Sequence, residues 1–120
     1  MKITKIKKNN KVCAIVNSSE KVITNVQSAL DLLMTVNYEA GTKNIAISKE
    51  LITDDFFVLS TCLAGEILQK FINYGVRIAI YGDYSQYTSK ALKDFIYESN
   101  NGKDVFFVCT EDEAVERLTK

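Results

Sequence analysis

Apolar residues alternate with lysines in KITKIKK (Lys2–Lys8) and recur more densely in KVCAIV (Lys11–Val16). A period of two is that of an extended strand, and the Asn9-Asn10 pair between the runs is a tight hairpin signal. Ile3 and Ile6 read as the inner positions of an edge strand. Its wet face carries Lys2, Lys5, Lys7, Lys8 and Lys11, which also blunt edge pairing. NSSEKVIT (Asn17–Thr24) is a polar loop with a short extended piece. The period then lengthens. Val26, Ala29, Leu30, Leu33, Met34 and Val36 have helical spacing behind a capping box, Thr24 followed by Gln27, and Gly41 ends the run. NIAIS (Asn44–Ser48) is a short buried strand.

The longest helix is expected next. Thr53 would cap it, Asp54 and Asp55 would occupy its first turn, and Gly75 would stop it. Phe56, Leu59, Leu63, Ile67 and Phe71 form one stripe; Phe57, Ala64, Leu68 and Ile72 form a second. Gly65 inside it costs about 1 kcal/mol relative to Ala, which points to a close backbone contact. VRIAIY (Val76–Tyr81) is a third buried strand. A helix capped by Thr88 or Ser89 follows through Leu92, Phe95 and Ile96 to SNNG. DVFFVC (Asp104–Cys109) is the last strand. Thr110 with Glu113 opens a final short helix that turns Ala114, Val115 and Leu118 inward.

The order is β-β-(αβ)3-α. Near-continuous apolar strands alternating with helices predict an α/β fold, with a mixed, mostly parallel central sheet and an N-terminal β-hairpin. No linker or repeat divides the chain, so residues 1–120 are expected to form one domain. Its 120 residues can bury roughly two thirds of the unfolded surface.

Composition mainly excludes. Fifteen basic and fifteen acidic residues cancel, so no global field draws the chain to nucleic acid or an anionic membrane. No run approaches the ~20 apolar residues of a membrane span. No apolar run follows the first lysines as a secretory signal requires, and Cys13, Cys62 and Cys109 sit in apolar runs. A cytoplasmic protein with reduced, buried thiols is therefore expected. Histidine is absent, which removes Ser-His-Asp and Cys-His catalysis and most zinc sites. There is no GxGxxG, no Walker A loop and no acidic receiver cluster, so no cofactor is expected.

Weaker constellations remain. Cys62 as a nucleophile lacks a base, and its helical period reads as core. Asp83 with Lys90 or Lys93 would form an acid–base pair, but Asp after Gly at a strand end commonly bonds its own backbone. Glu98 reads as a solvated side chain. Tyr81, Tyr84 and Tyr87 would make an aromatic platform, or simply pack their rings. In open α/β sheets ligands bind beyond the carboxyl ends of the strands. That rule selects SKELITDD (Ser48–Asp55) and GDYSQYTS (Gly82–Ser89).

VQSALDLLMTVNYE, FFVLSTCLAGEILQKFINY, GDYSQYTSKALKDFIYESNNG and VFFV together resemble the bacterial family DUF4180, across nearly the whole chain. That family carries no assigned activity. AISKELITDDFF and AIYGDYS are also similar to short motifs of the STAS domain, the fold of anti-sigma-factor antagonists. The STAS likeness implies a partner-binding surface around a phosphorylatable Ser at a helix N-terminus. The register places Asp54 on that family's Asp and Asp55 on its Ser, so a carboxylate stands where phosphate would be added, and Thr53 is the nearest hydroxyl.

The expected function is a non-enzymatic, regulatory domain with a STAS-like fold. It would bind an unidentified protein partner through Ser48, Thr53, Asp54, Asp55, Asp83, Tyr84, Ser85 and Tyr87, with Thr53 and Ser85 as candidate phosphoacceptors. The alternative places a small anion, or an enzyme site using Asp83, Ser85, Tyr87, Lys90 and Glu98, at the same strand ends. A third reading is a homodimer paired through KVCAIV.

Overall fold

Asn9 and Asn10 both adopt left-handed backbone, with φ of 54° and 62°, the conformation that a two-residue type I′ turn demands. They join β1 (Lys2–Lys8) to β2 (Lys11–Asn17) as an antiparallel hairpin. The computed structural model describes residues 1–120. Three parallel strands extend the hairpin: β3 (Asn44–Ser48), β4 (Arg77–Tyr81) and β5 (Val105–Val108), in the spatial order β1-β2-β3-β4-β5. The α/β class, the mixed sheet and the element order match the sequence expectation.

Because strand order follows chain order, right-handed crossovers put every connecting helix on one face. These are α1 (Val26–Ala40), α2 (Leu63–Asn73) and α3 (Lys90–Asn100). They cover Ala14, Val16, Ile45, Ile47, Ile78, Ile80, Val105 and Phe107 in the larger core. The alternate positions Cys13, Ile15, Ala46, Ala79, Phe106 and Val108 face the other way, where α4 (Glu111–Thr119) alone covers them with Ala114, Val115 and Leu118. A period of two thus splits each strand between two cores. It also separates Ile3 from Ile6. They lie three apart and pack against opposite cores, so the β1 lysines are shared between both faces and do not form one wet face.

Three features of the connections differ from expectation. α1 begins one residue later than its capping box: Asn25 accepts from the Ser28 N–H at 2.8 Å, and the Ser28 hydroxyl accepts from the Asn25 N–H at 3.0 Å. α1 is also the longest helix, because the segment 53–75 is not one helix. It contains a 3-10 turn at Asp54–Phe57, another at Leu59–Thr61, and then α2. The Thr61 hydroxyl donates toward the Asp55 and Val58 carbonyls, 2.8 Å from each, displacing regular helical bonds. Cys62 then takes φ of 63° and breaks the chain direction. Cys62 is therefore exposed, as is Cys109, and only Cys13 is a buried thiol. Gly65 is solvent-facing, with nothing within 4 Å of where a Cβ would stand, so no close backbone contact explains it.

The polar loop after β2 does contain an extended piece. Ile23 bridges Ile52 in parallel and ties this loop to the one after β3. β2 is an interior strand bonded on both sides, so KVCAIV has no free edge for a second copy; the sheet edges are β1 and β5. No helix is long and apolar enough to cross a membrane.

Candidate functional site

With a strand order that never reverses, the sheet has no crevice between loops diverging to opposite faces. The space at its carboxyl end is instead built by the broken segment after β3. Ile45 and Ile47 point into the larger core, and the same alternation continues one step past the strand to Lys49. Its side chain is only 8% exposed. The ammonium lies 5.1 Å from the centroid of the Tyr87 ring and 5.7 Å from that of Phe57. The Glu50 carboxylate is 3.6 Å away and itself well exposed. Burial works against the charge, but the Tyr87 hydroxyl and the Glu50 carboxylate outweigh it, so the Lys49 pKa is raised. Lys49 is thus a charge held in place.

The loop after β4 lies directly over it. Gly82 has φ of 157°, and a Cβ there would stand 2.8 Å from the Lys49 Cβ, so only glycine lets the two loops meet. Asp83 accepts from the Ser85 N–H at 2.9 Å, the self-bonded turn its position suggests. The Ser85 hydroxyl and N–H hold its carboxyl below the usual range, and the Lys49 charge adds to this. Tyr84 donates its hydroxyl to the Ile80 carbonyl at 2.8 Å. Burial pushes its phenol far above the ordinary range, with smaller contributions from Tyr87 and Cys109. Tyr87 stacks on Phe57 at 5.5 Å between centroids and stands 6.1 Å from Tyr84.

Phe57 is the hinge of this arrangement, touching Phe56, Tyr84 and Tyr87. Together with Tyr87 it forms the wall of a cleft of about 500 Å³. Val58 and Leu59 continue that wall on one side, and Ala91 and Leu92 of α3 on the other; Ser60, Gln86, Thr88 and Ser89 supply the polar lining. Val58 is 50% exposed. The loops after β3 and β4 do therefore converge, as their strand ends imply, but through Phe57–Ser60 more than through Ser48–Asp55.

The sequence-predicted residues divide accordingly. Tyr84 and Tyr87 are in the aromatic cluster, and Asp83 and Ser85 form the turn beside it. Asp54 and Asp55 are exposed immediately ahead of Phe56. Thr53 makes no side-chain capping bond; its N–H donates to the Ile23 carbonyl, on the β2 side of the site. Ser48 caps the single turn Lys49–Leu51 by accepting from the Glu50 N–H at 3.2 Å. Asp55 does not open a long helix, as the STAS register requires, because α2 starts only at Leu63. Tyr81 is separated from the platform. It packs on the α4 face with its hydroxyl 3.5 Å from Glu111. The Asp83–Lys90 pair does not form either, since Lys90 bonds Asp94 at 2.8 Å. Ser89, one of two capping candidates, is the cap of α3.

Phe57 and Val58 lie outside the predicted segments Ser48–Asp55 and Gly82–Ser89; Lys49 lies inside the first but is not among the predicted site residues. Lys49 was legible in principle, since positions 45, 47 and 49 share a face of an extended strand. Phe57 has the spacing of a helical core position, but the structure breaks that helix into 3-10 turns.

Residues 8–118 match the family described as a domain of unknown function (DUF4180), and the chain belongs to that family. No curated protein and no solved structure matches it.

Proposed function

We propose that the protein is a non-enzymatic binding domain that engages a protein partner at the carboxyl end of its sheet. The partner segment inserts an apolar side chain into the cleft between Phe57–Leu59 and Tyr87–Leu92, and carries lysine or arginine beside that anchor. The observation that supports this most is the cleft itself: aromatic at its base, with half-exposed Val58 on one wall. The exposed carboxylates Asp54 and Asp55 immediately precede that wall. An apolar pocket with acidic groups a few residues away along the chain suits a basic, amphipathic ligand segment. Lys49, beneath the Phe57 and Tyr87 rings, fixes the wall by cation–π contact and by filling the space under Gly82.

Selection from a displayed random-peptide library tests this. The expected peptides share an apolar anchor flanked by basic residues, and Val58→Asp abolishes their enrichment without lowering the melting temperature. Selection of acidic peptides, or unchanged enrichment on Val58→Asp, contradicts the proposal.

A small anionic ligand of the same cleft is the second reading. It is favoured by a volume within the few-hundred-Å³ range of small-molecule sites and by the hydroxyls of Ser60, Thr88 and Ser89 at its lining. A saturable thermal shift with a carboxylate or phosphate compound, abolished by Thr88→Val, is its expected signature.

A further inference from the structure

The largest cavity, about 640 Å³, opens at the opposite, amino end of the sheet. Five cations line it: Lys11 at the start of β2, Arg77 at the start of β4, Lys103 in the turn before β5, and Arg117 and Lys120 at the end of α4. Asp104 is the single side-chain carboxylate among the lining residues. None of the five cations is paired with a side-chain carboxylate; the ion pairs of the molecule are Lys49–Glu50 and Lys90–Asp94. In a chain of zero net charge, this is a local segregation of positive charge from elements far apart in sequence.

Helix capping accounts for part of it. The last carbonyls of α4 are all taken by side chains. Arg77 donates to the Leu118 and Arg117 carbonyls at 3.2 and 3.4 Å, Asn9 to that of Thr119 at 3.3 Å, and Lys11 to a main-chain carboxylate oxygen of Lys120. Arg77 Nε also donates to the Lys103 carbonyl at 2.9 Å, and Arg117 to the Asn100 carbonyl at 2.6 Å. The carbonyls of Asn100, Lys103, Arg117, Leu118 and Thr119 carry no formal charge, whereas the main-chain carboxylate of Lys120 offsets Lys11; Arg77, Lys103, Arg117 and the Lys120 ammonium still outweigh Asp104. Capping gives no role to the Lys103 and Lys120 ammonium groups. It does leave the two guanidinium groups pinned, with Arg77 and Arg117 also resting 5.6 and 4.4 Å from the Phe106 ring centroid. A guanidinium already immobilised loses little entropy on binding an oxyanion; all three nitrogens of Arg77 donate to carbonyls, whereas Arg117, engaged through one nitrogen, keeps N–H groups for the fork that phosphate oxygens fit.

We infer that this cleft binds a small polyphosphate anion, a ligand carrying at least two linked phosphate groups. One phosphate would engage the Arg117 side with Lys103, and the other the Lys120 ammonium. The charge of its lining is spread over four separate segments.

Calorimetric titration of the intact protein with inorganic phosphate, pyrophosphate and tripolyphosphate, at ionic strength held constant with potassium chloride, tests this. Saturable binding is expected for pyrophosphate, tighter for tripolyphosphate and at least tenfold weaker for phosphate. Lys103→Glu should weaken tripolyphosphate at least tenfold with an unchanged melting temperature, and Lys120→Glu likewise, whereas Glu66→Gln on exposed α2 should not. Absence of saturable heat, or equal affinity in Lys103→Glu, overturns the inference. So does a single-stranded oligonucleotide that displaces tripolyphosphate and binds more than a hundredfold tighter, because the surface would then serve an extended polymer.

Discussion

The two ends of one sheet are built by opposite means. At the carboxyl end the loops are long and irregular, held by aromatic packing around Phe57 and by a single buried ammonium. Their exposed charges are largely carboxylates: Glu50, Asp54, Asp55, Asp83 and the first turn of α4, Glu111–Glu113. At the amino end the turns are short and held by side-chain bonds to backbone carbonyls, and the cleft is lined by five cations and one side-chain carboxylate. Helix dipoles account for the sense of this split, since α1 to α4 all start at the carboxyl end and finish at the amino end. The pairing teaches that a zero net charge conceals two surfaces of opposite sign, each suited to a different ligand.

The largest expected effect falls at the carboxyl end. Phe57→Ala removes the ring that joins Phe56, Tyr84, Tyr87 and Lys49, and should cost about 3–5 kcal/mol in urea unfolding. At the amino end, Arg77→Ala should cost about 2–3 kcal/mol through lost charged hydrogen bonds. Hydrogen exchange should rise first in α4 and not in α3. Equal loosening of both helices would show that Arg77 serves the whole sheet and not one cap. Gly82→Ala should cost about 2 kcal/mol, from strained backbone and the contact with Lys49. Ser89→Ala, which removes the α3 cap beside the cleft, should cost about 1 kcal/mol.

Alkaline pH separates the ends further. Burial raises the Cys13 thiol above its ordinary 9.0 and Tyr84 above its ordinary 10.0, and Lys49 is raised above 10.5. For each, the stability it confers is complete below the unfolded value and is lost as pH rises toward the folded one. The melting temperature should therefore hold from neutrality to about pH 9 and fall beyond it. Tyr84→Phe should start lower but fall less steeply. A parallel decline in Tyr84→Phe would place the alkaline weakness elsewhere.

Much of the fold was legible because local rules and tertiary packing agree in it. Asn9-Asn10 makes the hairpin its type demands, Thr110 and Ser89 cap the helices they precede, and the strand alternation sorts residues between two cores. The expectation failed where two local rules compete. Residues 53–62 have helical apolar spacing, yet the Thr61 hydroxyl captures the Asp55 and Val58 carbonyls and Cys62 turns left-handed. That break exposes Cys62 and swings Phe57 and Val58 onto the cleft wall. A lysine one step past a strand, on the line of its core face, is overlooked because Lys is so rarely buried, and its partners, Tyr87 and Gly82, arrive from a loop distant in sequence. The amino-end cleft was invisible for a similar reason: its cations are scattered from Lys11 to Lys120 and meet only through the parallel sheet.

Titration of a selected basic, apolar-anchored peptide against variants at both ends tests the central claim most directly. Val58→Asp and Asp55→Arg should each weaken binding at least tenfold, while Lys103→Glu at the amino end leaves it unchanged. Loss of affinity in Lys103→Glu with retention in Val58→Asp would contradict the assignment of partner binding to the carboxyl end.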